Sequence, residues 1–147
     1  MAWQLVATLE NLPVPPTVNN AYINFRGGRR ASQSHTDFKL ECQKWALGHY
    51  RELHRIRPLV SGKILAMGYS YHLQRSRLYT KKGGIKRFDV SNRIKLLEDS
   101  MCRMIQVDDS HVWVLKASKV EVARRIQEQV VITIWAHEIG KLDDLQL

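Results

Sequence analysis

The chain has 147 residues, 44% of them hydrophobic, and a formal net charge of +9 at pH 7. That length supports one compact domain with a buried core, and that hydrophobic fraction excludes wholesale disorder. No apolar run approaches the ~20 residues of a membrane helix. The start MAWQLVATLENLPVPP lacks a basic stretch leading into an apolar one, so a cytoplasmic protein without a signal peptide is expected.

Residues 3–9 read as a strand, ended by Pro13, Pro15 and Pro16. A polar loop follows over 17–34. Thr36 or Ser34 is then expected to cap a helix running to about Arg55, with Phe38, Cys42, Trp45 and His49 at helical spacing and Pro58 as its stop. Residues 63–73 (KILAMGYSYHL) alternate as a strand. A basic loop hinged at Gly83-Gly84 comes next, and Asp89 opens a second helix. Val90, Ile94, Leu97, Met101, Met104 and Ile105 make one apolar stripe on it. Leu96 faces away from that stripe, towards a possible partner subunit.

After a turn at 106–110, residues 111–122 and 129–137 read as strands, paired as an antiparallel hairpin through the polar connection 123–128. The tail, 140–147, reads as frayed. The order β-α-β-α-β-β predicts a single α+β domain over residues 1–147, a mixed sheet of about four strands with two main helices packed on it.

The charge speaks to partners. Arg26, Arg29 and Arg30 surround a Gly27-Gly28 turn, and Arg75, Arg77, Lys81, Lys82, Lys86 and Arg87 crowd the approach to Asp89. Long cations in glycine-containing loops suit a phosphate backbone. Arg29, Arg30, Arg75, Lys81, Lys82 and Arg87 are therefore the candidate DNA contacts. Cys42 and Cys102 have no metal-ligand spacing and fit reduced thiols.

Against this background, KRFDVSNRIKLLEDSMCRMIQVDDSHV gathers carboxylates at Asp89, Glu98-Asp99 and Asp108-Asp109. Each has an ordinary use: Asp89 as a helix N-cap, Lys95–Asp99 as an i,i+4 pair, Asp108-Asp109 as turn residues, Glu98 and Asp99 as solvated helix positions. Converging carboxylates would repel by about 3–4 kcal/mol per pair at an effective dielectric near 20. A shared proton, interleaved cations or a divalent ion relieves that. Oxygen donors with no His or Cys pattern select Mg²⁺ or Mn²⁺ over zinc, and six histidines are scattered without ligand spacing.

The stretch DVSNRIKLLEDSMCRMIQVDDSHV resembles the core motif of the RusA-type Holliday junction resolvases, and LPVPPTVNNAY resembles that family's Pro-rich, Asn-Asn opening. Asp89, Asn92, Lys95, Asp99, Asp108 and Asp109 match the motif. The resemblance implies a bacterial or phage-encoded endodeoxyribonuclease that uses Mg²⁺ (Mn²⁺ as substitute) to resolve four-way DNA junctions by paired cuts. A homodimer supplies two equivalent sites for such cuts. In this reading Asp89 and Asp109 are metal ligands, with Asp108 the second choice of the adjacent pair. Asp99 either ligates metal or orients Lys95, Lys95 stabilises charge on the phosphate, and Asn92 fixes the helix start. One position departs from the family: Ser91 stands where it usually has a second Asp, and serine supplies no anionic ligand. The alternative is a branched-DNA-binding module with weakened or lost catalysis.

Overall fold

The apolar alternation expected around residues 63–73 builds the middle of the molecule. In the computed structural model, which describes residues 3–16, 22–25, 28–86 and 90–139 (for 22–25, 28–31, 91 and 92 the backbone alone), this segment is one strand of a four-stranded mixed sheet. The strands are β1 (Gln4–Leu12), β4 (Ile64–Gln74), β5 (Val112–Val122) and β6 (Gln129–His137), in the order β1-β6-β4-β5. β6 runs antiparallel to both β1 and β4, and β5 runs parallel to β4.

Leu65, Met67, Tyr69, Tyr71 and Leu73 alternate onto one face of β4 and are almost completely buried. They meet α1 (Gln33–Gly48), α2 (Tyr50–Val60) and α4 (Val90–Ile105) in one apolar core; α3 (Arg75–Leu78) is a single turn after β4. Leu97, Met101 and Ile105 of the expected α4 stripe are buried there, with Val90, Ile94 and Met104 packed at its margin. No helix among the described residues is long and apolar enough to cross a membrane.

Several expectations are corrected. β5 and β6 do not form a hairpin: they flank β4 on opposite sides. Composition explains the choice. β6 buries Val130, Ile132, Ile134 and Ala136 and belongs inside the sheet, whereas β5 carries Lys116, Lys119 and Glu121 and is largely exposed, as an edge strand should be. Leu96 does not face a partner. It is 5% exposed, because α1 packs on a second flank of α4.

The expected single helix to Arg55 is two helices, and Pro58 lies inside the second rather than ending it. Ser32, two residues before Ser34 and four before Thr36, caps α1 by accepting from the His35 amide. The break falls at His49. Its ring stacks on Trp45 at 4.0 Å, its Nδ1 lies 2.7 Å from the Trp45 carbonyl, and its amide donates to Ala46 instead. A side chain thereby takes the carbonyl that would have continued the helix. Part of the expected polar loop is a small antiparallel ladder of β2 (Tyr22–Phe25) and β3 (Gly28–Ala31). The start of the second helix at Asp89 and the tail 140–147 lie outside the described residues.

Candidate active site

α4 carries most of the motif, and three contacts fix its position. Arg93 donates to the Pro15 carbonyl at 2.8 Å, tying the Pro-rich opening to the helix. Arg57 donates to the Met104 carbonyl at 3.0 Å. At the far end Gln106 adopts φ +59, a left-handed stop, and the Val107 amide closes on Cys102.

Beyond the stop, Asp108 caps a 3-10 turn, Asp109–His111, by accepting from the Ser110 amide at 2.9 Å. These hydrogen bonds hold its carboxyl below the usual range. His111 is half-buried with Nδ1 2.9 Å from the Lys63 carbonyl, so its ring moors the turn to the start of β4. The turn therefore separates the jobs of the adjacent acids: Asp108 caps, while Asp109 is left exposed at the turn's first position.

Glu98, midway along α4, is half-buried. Burial pushes its carboxyl upward, the negative charge of Asp109 and then of Asp99 push it further, and Lys95 opposes them. The fields converge on Cys102 as well. Burial, then Glu98, Asp109, Asp99 and Asp108, push its thiol up to about 12. Beneath lies Tyr69, its hydroxyl raised first by burial and next by Glu98. Four carboxylates thus act on one small region bounded by α4, the Asp109 turn and β4.

The sequence-predicted residues fall out unevenly. Lys95, Asp99, Asp108 and Asp109 are all exposed around this region. Asp99 also lines a cleft between α4 and α1 with His35, Lys39 and Arg103, so it borders two surfaces. Among the described residues no ion pair joins Lys95 to Asp99; the Lys95 charge acts on Glu98 instead. Asp89 and Arg87 lie outside the described residues, and only the backbone is described for Ser91, Asn92, Arg29 and Arg30. Arg75 lies 4.6 Å over the Tyr79 ring and pairs with Glu121 at 3.3 Å, while Lys81 and Lys82 are exposed on the following turn.

Glu98 joins the candidates on electrostatic grounds, although in sequence it reads as a solvated helix position. Its spacing held the signal: Ser91, Lys95 and Glu98 stand at i, i+4 and i+7, one above another on a helix face. Among the described residues no group of three or more His, Cys, Asp or Glu is arranged to hold a metal ion. The donor chemistry nevertheless suits a hard cation, since the oxygens are carboxylate and the nearby thiol is held protonated.

A search among curated proteins finds no match. A family model described as RusA, endodeoxyribonuclease RusA, matches residues 13–134, which span the Pro-rich opening, all of α4, the Asp109 turn and most of the sheet. The chain belongs to the RusA family of endodeoxyribonucleases.

Proposed function

We propose that the chain, as one RusA-like domain over residues 1–147, is a Mg²⁺-dependent, structure-selective endodeoxyribonuclease that resolves four-way DNA junctions in recombination and repair, with Mn²⁺ able to substitute. The observation that carries this reading is that Asp109, Asp99 and Lys95 all act electrostatically on Glu98, in a chain of an endodeoxyribonuclease family. Asp89 and Asp109 would hold the ion, with Asp108 and Asp99 as further candidates and Glu98 in support, and waters and the substrate phosphate would supply the remaining oxygen ligands. Bound Mg²⁺ supplies a Lewis acid for the scissile phosphate and lowers the pKa of the attacking water.

The chain's own residues do the rest. The Lys95 ammonium would stabilise the charge that accumulates on the transferring phosphate. Asp109 and Glu98 fix the acidic side of the site, and the basic turns before α4 hold the substrate backbone. Two copies related by a two-fold axis would present two such sites to the two strands a junction resolvase must cut, so a homodimer is part of the proposal.

Ser91 favours a second reading, a branched-DNA-binding module with reduced or absent chemistry. Incubation with an end-labelled four-way junction and Mg²⁺ separates the two. Symmetric nicks that vanish in Asp109→Asn while binding persists support the nuclease. Tight binding without a nick at any Mg²⁺ or Mn²⁺ concentration supports the module.

A further inference from the structure

Where β4 and β5 finish and β6 begins, two basic turns stand on a common base. The first follows α3. It is closed by Thr80 amide to Gly84 carbonyl at 2.7 Å, Gly83 amide to Thr80 carbonyl at 2.9 Å, Lys86 amide to Leu78 carbonyl at 2.8 Å, and a bridge between Tyr79 and Ile85. Gly83 sits at φ +83, a conformation that glycine alone adopts freely. The second is the 3-10 turn Arg125–Gln127, closed by the Arg124 amide donating to the Gln127 side chain at 2.9 Å.

Hydrogen bonds and ion pairs brace the two together. The Glu128 carboxylate accepts from the Gln74 amide at 3.0 Å and lies 3.6 Å from Arg77, while the Gln74 side chain donates to the Ala123 carbonyl at 3.3 Å. Such bracing makes the pair one platform rather than two independent loops.

Each turn carries an isoleucine in the open. Ile85 and Ile126 are both 85% exposed, the first among Lys81, Lys82 and Lys86, the second beside Arg124 and Arg125. Neither side chain gains anything from folding at that exposure. A partner that satisfies cations and an aliphatic tip together must be polyanionic and have apolar faces. Nucleic acid has both, and its base faces become available where stacking is interrupted.

We infer that the two turns form a paired grip on the branch point of a DNA junction, with their lysines and arginines on flanking phosphates and Ile85 and Ile126 against base faces exposed where the arms part. The inference rests on the nucleic-acid reading above and adds to it the source of branch selectivity. Cations bind any duplex; the isoleucines find a seat only where base steps open.

The test uses full-length protein and a four-way junction carrying 2-aminopurine either at the branch or in mid-arm. Wild type is expected to change the fluorescence of the branch probe alone. The double variant Ile85→Ala, Ile126→Ala should lose that change and bind the junction roughly tenfold more weakly, with linear-duplex affinity unchanged. Both positions are on the surface, so an unaltered melting temperature shows that the fold is intact. A double variant with wild-type affinity and fluorescence overturns the grip while leaving the nuclease reading in place. An equal loss on junction and linear duplex also overturns it. Wild type that prefers vesicles of acidic phospholipid to either DNA overturns both.

Discussion

Asp109, on the turn that launches β5, is the strongest charged influence on Glu98 of α4. The relationship is unfavourable in isolation. Burial and a neighbouring anion both raise the free energy of ionised Glu98, and only Lys95 works against them.

A sign follows for stability. The folded-state pKa of Glu98 lies above its ordinary value of 4.5, so its contribution is complete below that pH and is lost as pH rises through the folded value. At pH 7 without metal, Glu98→Gln should therefore melt higher than wild type, and near pH 4 the difference should vanish. Calorimetry in EDTA checks this; a lower melting temperature at pH 7 contradicts it.

Lys95→Met should leave junction binding nearly intact, because one exposed lysine is a small part of the cationic surface. Cleavage should fall by roughly 10²–10³, the scale for losing one preorganised group at a developing charge. Single-turnover rates on a labelled junction decide it. A loss confined to binding would return Lys95 to the role of an ordinary surface cation.

Leu96→Ala should cost about 2–4 kcal/mol, the range for emptying a buried leucine site. Urea unfolding measures it. A cost under about 0.5 kcal/mol would mean that Leu96 is a surface residue after all.

The alkaline limb of stability is set in part by the thiols. Burial pushes Cys42 up to about 11 and Cys102 up to about 12, from 9.0. Raised folded-state values favour the protonated thiols, so stability is complete below pH 9 and declines as pH rises through 11–12. Cys102→Ala should flatten the decline in urea midpoint above pH 9; an unchanged slope contradicts it.

The particular residues show why the sequence was legible in some places and not in others. The stripe Leu97, Met101, Ile105 and the alternation of β4 announce themselves because each is a local period imposed by one core face. Leu96 could not be read that way, since its burial depends on where α1 packs. The same holds for β5, whose strand character is local but whose partner was decided by competition for β4. His49 breaks a helix through contacts with Trp45 that no propensity contains. Among the candidate site residues, Lys95 and the Asp108-Asp109 pair stand out in the sequence through the motif alone. Glu98 is silent in the sequence because the charge that acts on it most, Asp109, belongs to a different element. Ile126 reads in sequence only as an apolar residue in a basic turn, because the bracing of that turn by Glu128 to Gln74 and Arg77 comes from the fold.

The central claim is that the carboxylates around Asp109 hold a divalent ion, and Mn²⁺ binding to the DNA-free protein, followed by electron paramagnetic resonance, tests it most directly. Wild type should bind Mn²⁺ saturably, and Mg²⁺ should compete for the same site. Asp109→Asn should lose that binding and Glu98→Gln should weaken it. Wild type and Asp109→Asn taking up Mn²⁺ with equal affinity, or neither taking it up, would contradict the account.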